Sequence, residues 1–323
     1  MKKILVFSLL IFSLQSRACI NIFAVDSAGR GHYLSHWFFF SVEFRQKEIT
    51  QKIKAAEKMF AAGQYSYQNI SDYGAWLLMA GRYAEGLDLF RALSKKYPQV
   101  YEINANTAVA YELNGNIDSA LYWERASLKI NPTAHGNSEW IHLKILEARK
   151  QLQADPDWCL HHNVTDVVNR IKETYKFEEH EDFNEGSRIF SDFMNQLEER
   201  FPFTYAEDKV MGKLMMELGD AYQAASIYRS YYCYALAQYL YPALKEETDE
   251  KMRLILMKYP AGTVQSFGRA VSLKRTGNSE SREMVAPDPA EVKRFIHKII
   301  KRPAVYNKKI KPLNIQELVK KIG

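Results

Sequence analysis

The sequence predicts an all-α protein: a superhelix of stacked helical hairpins, with a short N-terminal β-hairpin and C-terminal amphipathic helices. Residues 67–100 and 101–134 carry the same sparse pattern in a constant 34-residue frame. Each stretch places a glycine at its fifteenth position (Gly81, Gly115) and a proline at its thirty-second (Pro98, Pro132). A third copy starting at Tyr205 puts Gly219 in the glycine slot. The glycine permits a turn between antiparallel helices, and the proline ends the second helix. One hairpin cannot bury its own apolar face, so neighbours must stack into a continuous core.

The first element is not part of that stack. In residues 1–18, Lys2 and Lys3 precede an apolar run from Ile4 to Leu14, and Ser16 and Ala18 have the spacing of a cleavage site, so the segment reads as a bacterial export signal. Cys19 follows directly, and two readings stay open: lipidation of Cys19, or ordinary cleavage nearby. Ser16 and Arg17 fill positions where a lipoprotein signal usually has an aliphatic and a small residue. In the next segment, 19–66, residues 20–44 are rich in aromatic and β-branched types around Ser27-Ala28-Gly29-Arg30-Gly31, which predicts a short hairpin. Residues 45–62 then space Ile49, Ile53, Ala56, Met59 and Phe60 as a helix leading into the repeats.

The tandem pair at 67–134 matches the slots of a known repeat. The first copy has Gly74, Phe90 and Pro98, with Gly86 where alanine is usual; the second has Ala108, Tyr111, Ala120 and Pro132, with Glu124 where an aromatic belongs and Trp123 beside it. The third matches at Gly212, Ala224 and Tyr228, but has Leu236 in the proline slot. In period and slots the chain resembles the tetratricopeptide repeat family. That resemblance implies a concave groove lined by the second, fifth, ninth, twelfth and thirteenth positions of each first helix. These are Gln68, Ser71, Ala75, Leu78 and Met79; Glu102, Ala105, Val109, Glu112 and Leu113; and Ala206, Lys209, Lys213, Met216 and Glu217. Family members that grip a C-terminal carboxylate use lysine, asparagine and arginine at such positions, a clamp that the adjacent copies here lack. A mixed apolar and acidic groove fits a helix or an extended peptide, and the competing reading fills it with the chain's own segment.

Residues 135–204 span close to two repeat lengths and read as degenerate hairpins. Ser138 can cap a helix carrying Ile141, Ile145, Ala148 and Leu152, and 186–200 puts Ile189, Phe190, Phe193, Met194 and Leu197 on one stripe. Between them, 155–184 reads as an irregular surface insertion. The third repeat and following helices occupy 205–273, including a helix over 245–257, and 274–290 reads as a polar linker. Two caps, Asp288 at the end of the linker and Asn314, each with a glutamate three residues on, introduce the short amphipathic helices of 291–323. The first has Val292, Phe295, Ile296, Ile299 and Ile300 on its apolar side.

Charge and cysteine usage narrow the function. The formal charge of the 323-residue chain is +6, yet residues 291–323 alone hold ten basic and two acidic residues, so an anionic surface would concern only that tail. No nucleic-acid partner is expected. Cys159 and Cys233 read as buried thiols rather than a disulfide framework. Phosphate-cradling glycine loops, nucleophile elbows and HExxH pairs are absent from the sequence. Cys159, His161, His162 and His180 offer metal-ligating types at a spacing that fits no common site, and no metal or other cofactor is expected. The sequence thus predicts a non-enzymatic scaffold or assembly factor of the bacterial envelope that binds another protein. The alternatives are a peripheral membrane protein held by its basic C-terminal helices, and an enzyme with an unrecognised site in 155–184.

Overall fold

The computed structural model describes residues 42–170, 183–204, 207–223, 227–258, 289–300 and 314–321. The signal at 1–18, Cys19, Ala206, His180 and most of the linker at 274–290 lie outside these residues. So does the expected β-hairpin, apart from residues 42–44, which form the first turn of a helix.

Among the described residues the chain is all-helical, built as consecutive helical hairpins. Helix α1 (Val42–Ala61) buries Ile49, Ile53 and Phe60 against α2 (Tyr67–Met79). Ser66 caps α2, its hydroxyl accepting from the Asn69 N–H at 3.1 Å. Helix α3 (Tyr83–Lys96) closes the first hairpin, and α4 (Tyr101–Leu113) with α5 (Ile117–Ile130) forms the second. Every boundary of the second hairpin falls 34 residues after its counterpart in the first. The turns repeat as well: Gly81 and Gly115 have φ of 78° and 79°, and each donates its N–H to a carbonyl three residues back at 2.9 Å. A left-handed φ is the conformation that glycine adopts without strain and that closes a helix C-terminus.

A one-turn helix α6 (Ala134–Asn137) leads into α7 (Glu139–Ala154), followed by the short α8 (Trp158–His161) and by α9 (Phe183–Arg200). Ser138 does precede α7, but its hydroxyl donates to the His135 carbonyl at 2.9 Å and accepts from the Gln196 amide at 3.1 Å instead of capping the helix.

The third hairpin is α10 (Lys209–Tyr222) and α11 (Ile227–Leu240), whose helices start four and six residues later than the frame starting at Tyr205 requires. Gly219 therefore lies inside α10 and not at the turn. A Cβ there would stand 2.5 Å from the Tyr234 ring, so this glycine serves close helix approach.

Helices α12 (Lys245–Lys258), α13 (Pro289–Ile300) and α14 (Ile315–Lys320) complete the described chain. Helix α13 packs on α11 and touches α1, burying Val292 and Ile296. Helix α14, capped by Asn314, returns to α3; Leu318 is buried there, and the Lys321 ammonium lies 3.1 Å from the Tyr65 hydroxyl. No described helix is long and apolar enough to cross a membrane.

Two apolar cores result. One gathers α1 to α4 around Ile53, Trp76, Leu77, Phe90 and Leu93, with Leu318 of α14. The other gathers α7 and α9 to α13 around Ile145, Phe193, Leu214 and Tyr234. Between them lies a small cluster of Ile117, Ala120, Leu121 and Leu146, flanked by buried charged residues.

Candidate functional site

The positions that the repeat resemblance assigns to a groove divide by burial. Ser71, Ala75, Leu78, Ala105, Val109, Glu112, Lys213, Met216 and Glu217 are buried. Gln68, Met79, Glu102, Leu113 and Lys209 are half-buried. The amide of Asn106 on α4 donates to the Ser71 hydroxyl of α2 at 3.4 Å, joining the first two hairpins across this face. Lys209 reaches back to α8, donating to the Pro156 carbonyl at 2.8 Å while its ammonium sits 5.5 Å from the Tyr241 ring centre.

The chain's own segments meet the two buried glutamates. Glu217 on α10 accepts from the backbone N–H groups of Val164, Thr165 and Asp166, and from the Thr165 hydroxyl. Burial nevertheless pushes its carboxyl upward, against those donors and Lys213. A loop of the chain itself thus meets Glu217, a residue assigned to the groove only in the frame that the third hairpin does not keep.

Glu112 on α4 is the second such point. Arg149 of α7 donates from Nε to its Oε1 at 2.8 Å, Arg200 at the end of α9 contacts the same oxygen, and His142 Nε2 stands 3.1 Å from Oε2. Burial alone would raise this carboxyl, but Arg200, the His142 hydrogen bond and Arg149 outweigh it and hold it well below the usual carboxylate range. Arg149 also donates at 2.7 Å to Asp208, whose other oxygen caps α10 by accepting from the Met211 N–H at 3.1 Å.

His142 joins Glu112 to a further group. Its Nδ1 lies 3.2 Å from Glu124 Oε2 and 3.7 Å from Glu139 Oε2. Tyr101 donates to Glu139 Oε1 at 2.7 Å, and His135 Nε2 is 3.0 Å from the same oxygen. His142, Glu124 and Glu139 are at most 1% exposed. Burial would favour a neutral His142, but Glu124, Glu112 and Glu139 raise its pKa well above that of a free imidazole. Burial pushes the Glu124 carboxyl up to about 7, with His142 opposing and Glu139 adding to the rise.

The residues of this cluster lie outside the inner-face set except Glu112. A sequence signal existed: Glu124 stands in an aromatic slot, and Glu139 and His142 stand three apart on one helix face. Among the described residues, the metal-ligating types noted in the sequence do not gather into one cluster. Cys159 is buried, whereas His161 and His162 are exposed, and His162 stacks on Trp158 at 4.9 Å. No protein-family model, curated protein or solved structure matches the chain.

Proposed function

We propose that the chain is an exported repeat protein of the tetratricopeptide type that serves the bacterial envelope as a scaffold or assembly factor for another protein. The observation that carries this reading is the 34-residue step between the first two hairpins, with left-handed turn glycines at matching positions. Export is supported by the basic start and apolar run of residues 1–18.

The partner-facing surface is the strip left half-buried by the chain's own packing. Gln68 and Met79, like Glu102 and Leu113, are eleven residues apart, about three helical turns, so each pair lies along one line of its helix. Together they present two apolar and one acidic side chain beside an amide, a surface suited to a basic amphipathic segment. Val292 and Ile296 are buried on the stack, which withdraws part of the α13 apolar stripe from a lipid surface.

Photo-crosslinking in the native envelope tests the proposal. A photoreactive residue at Gln68 or Glu102 should capture the same protein, and one at the exposed Lys95 or Lys129 should not. Absence of an adduct at both strip positions, or equal capture at all four, would refute this surface.

A further inference from the structure

We propose that Glu124, Glu139 and His142 form a buried site for a divalent transition-metal ion, with zinc the best match, that staples α5 to α7. One ligand atom from each of the three residues lies within 4.8 Å of the others.

His142 and Glu139 are held by their outer atoms, and the carboxylate oxygens that face the site make no hydrogen bond. His142 uses Nε2 on Glu112, which is itself fixed by Arg149 and Arg200, so Nδ1 faces the site. Glu139 uses Oε1 on Tyr101 and His135, while its Oε2 has no hydrogen-bond partner. Glu124 is fully buried, and neither of its oxygens has a hydrogen-bond partner. A metal-ligating imidazole characteristically gives its other nitrogen to a carboxylate, which fixes the tautomer and strengthens the ligand. Glu112 occupies that position here.

The spacing fits a small tetrahedral ion. Nitrogen and oxygen ligands about 2.0–2.2 Å from zinc stand roughly 3.3–3.6 Å apart. The observed separations from His142 Nδ1 are 3.2 Å and 3.7 Å. His142 Nδ1 with one oxygen each from Glu124 and Glu139 gives one nitrogen and two oxygens, three protein donors as in zinc sites that keep a fourth position open. That set suits zinc or a related first-row ion better than calcium or magnesium, which favour more oxygen ligands and retained water.

The proposal is independent of the scaffold reading, because metal content and partner capture are measured separately. Full-length protein produced in zinc-supplemented medium should retain about one zinc per chain after dialysis against a weak chelator. Glu124→Gln and His142→Gln should lose it, whereas Cys159→Ser should keep it. X-ray absorption of the zinc-loaded wild-type protein should read nitrogen and oxygen donors only, a result that holds even if a variant fails to fold. Wild-type protein without stoichiometric zinc, zinc retained in both Glu124→Gln and His142→Gln, or a sulfur donor in the spectrum would each overturn the site.

Discussion

Tyr234 fills the space above Gly219 and cannot readily leave it. Its hydroxyl donates to Asp220 and accepts from the Gln223 amide, both at 2.6 Å. Gly219→Ala should therefore cost about 1–3 kcal/mol by overpacking, despite the better helix propensity of alanine. Chemical denaturation measures it, and a stabilised variant would show that the two helices do not approach closely here. The cysteines give a pH-dependent expectation. Burial pushes the Cys159 thiol up to about 11 and the Cys233 thiol up to about 12, so the reactive thiolate is scarce at pH 8 and rises only in strong alkali. Alkylation of the native protein at pH 8 should be slow at both residues and fast after unfolding; rapid native labelling would place them at the surface. Glu124 shows how far single residues were legible. Its slot marked it as anomalous, but its neighbours Glu139 and His142 lie on another helix, and periodicity within one helix cannot report a contact between two.

The loop 163–166 shows how a short element is fixed by one distant side chain. Glu217 serves three successive backbone N–H groups and the Thr165 hydroxyl, and Asp166 holds a φ of 55° beside it. Glu217→Ala would strand those donors, and each buried unsatisfied group costs about 1–3 kcal/mol. The loop should then open, read as faster proteolysis near Asn163 and a lower melting temperature. Unchanged cleavage would mean that other contacts hold the loop. At this scale consecutive helical hairpins were legible over the first two, because turn glycines and helix-ending prolines act locally. It misplaced the third, because Gly219 serves packing between helices rather than a turn, and sequence spacing does not distinguish the two uses. Helix α14 was legible through its Asn314 cap, yet its seat on α3, where Leu318 is buried, joins segments far apart in the chain, as does the contact between Lys321 and Tyr65 across 256 residues.

Across the whole molecule, the two apolar cores meet through charge. Glu112 draws on Arg149 and Arg200, 37 and 88 residues further along the chain, while Arg149 continues to Asp208 at the start of α10. Those separations explain why the repeat frame identified Glu112 as an inner-face residue without revealing that the chain itself binds it. Removing one partner of a buried ion pair leaves the other charge uncompensated, a loss of about 3–5 kcal/mol. At Glu112 the second hairpin is closed inward on an ionic junction. A double-mutant cycle on Glu112→Gln and Arg200→Met, read by denaturant unfolding, tests it most directly. The predicted result is a loss of about 3–5 kcal/mol for Glu112→Gln, with the double variant less damaged than the summed single losses by about 0.5–3 kcal/mol. Strictly additive effects, with Glu112→Gln costing under about 1 kcal/mol, would describe a solvated acid on an open face and contradict the account.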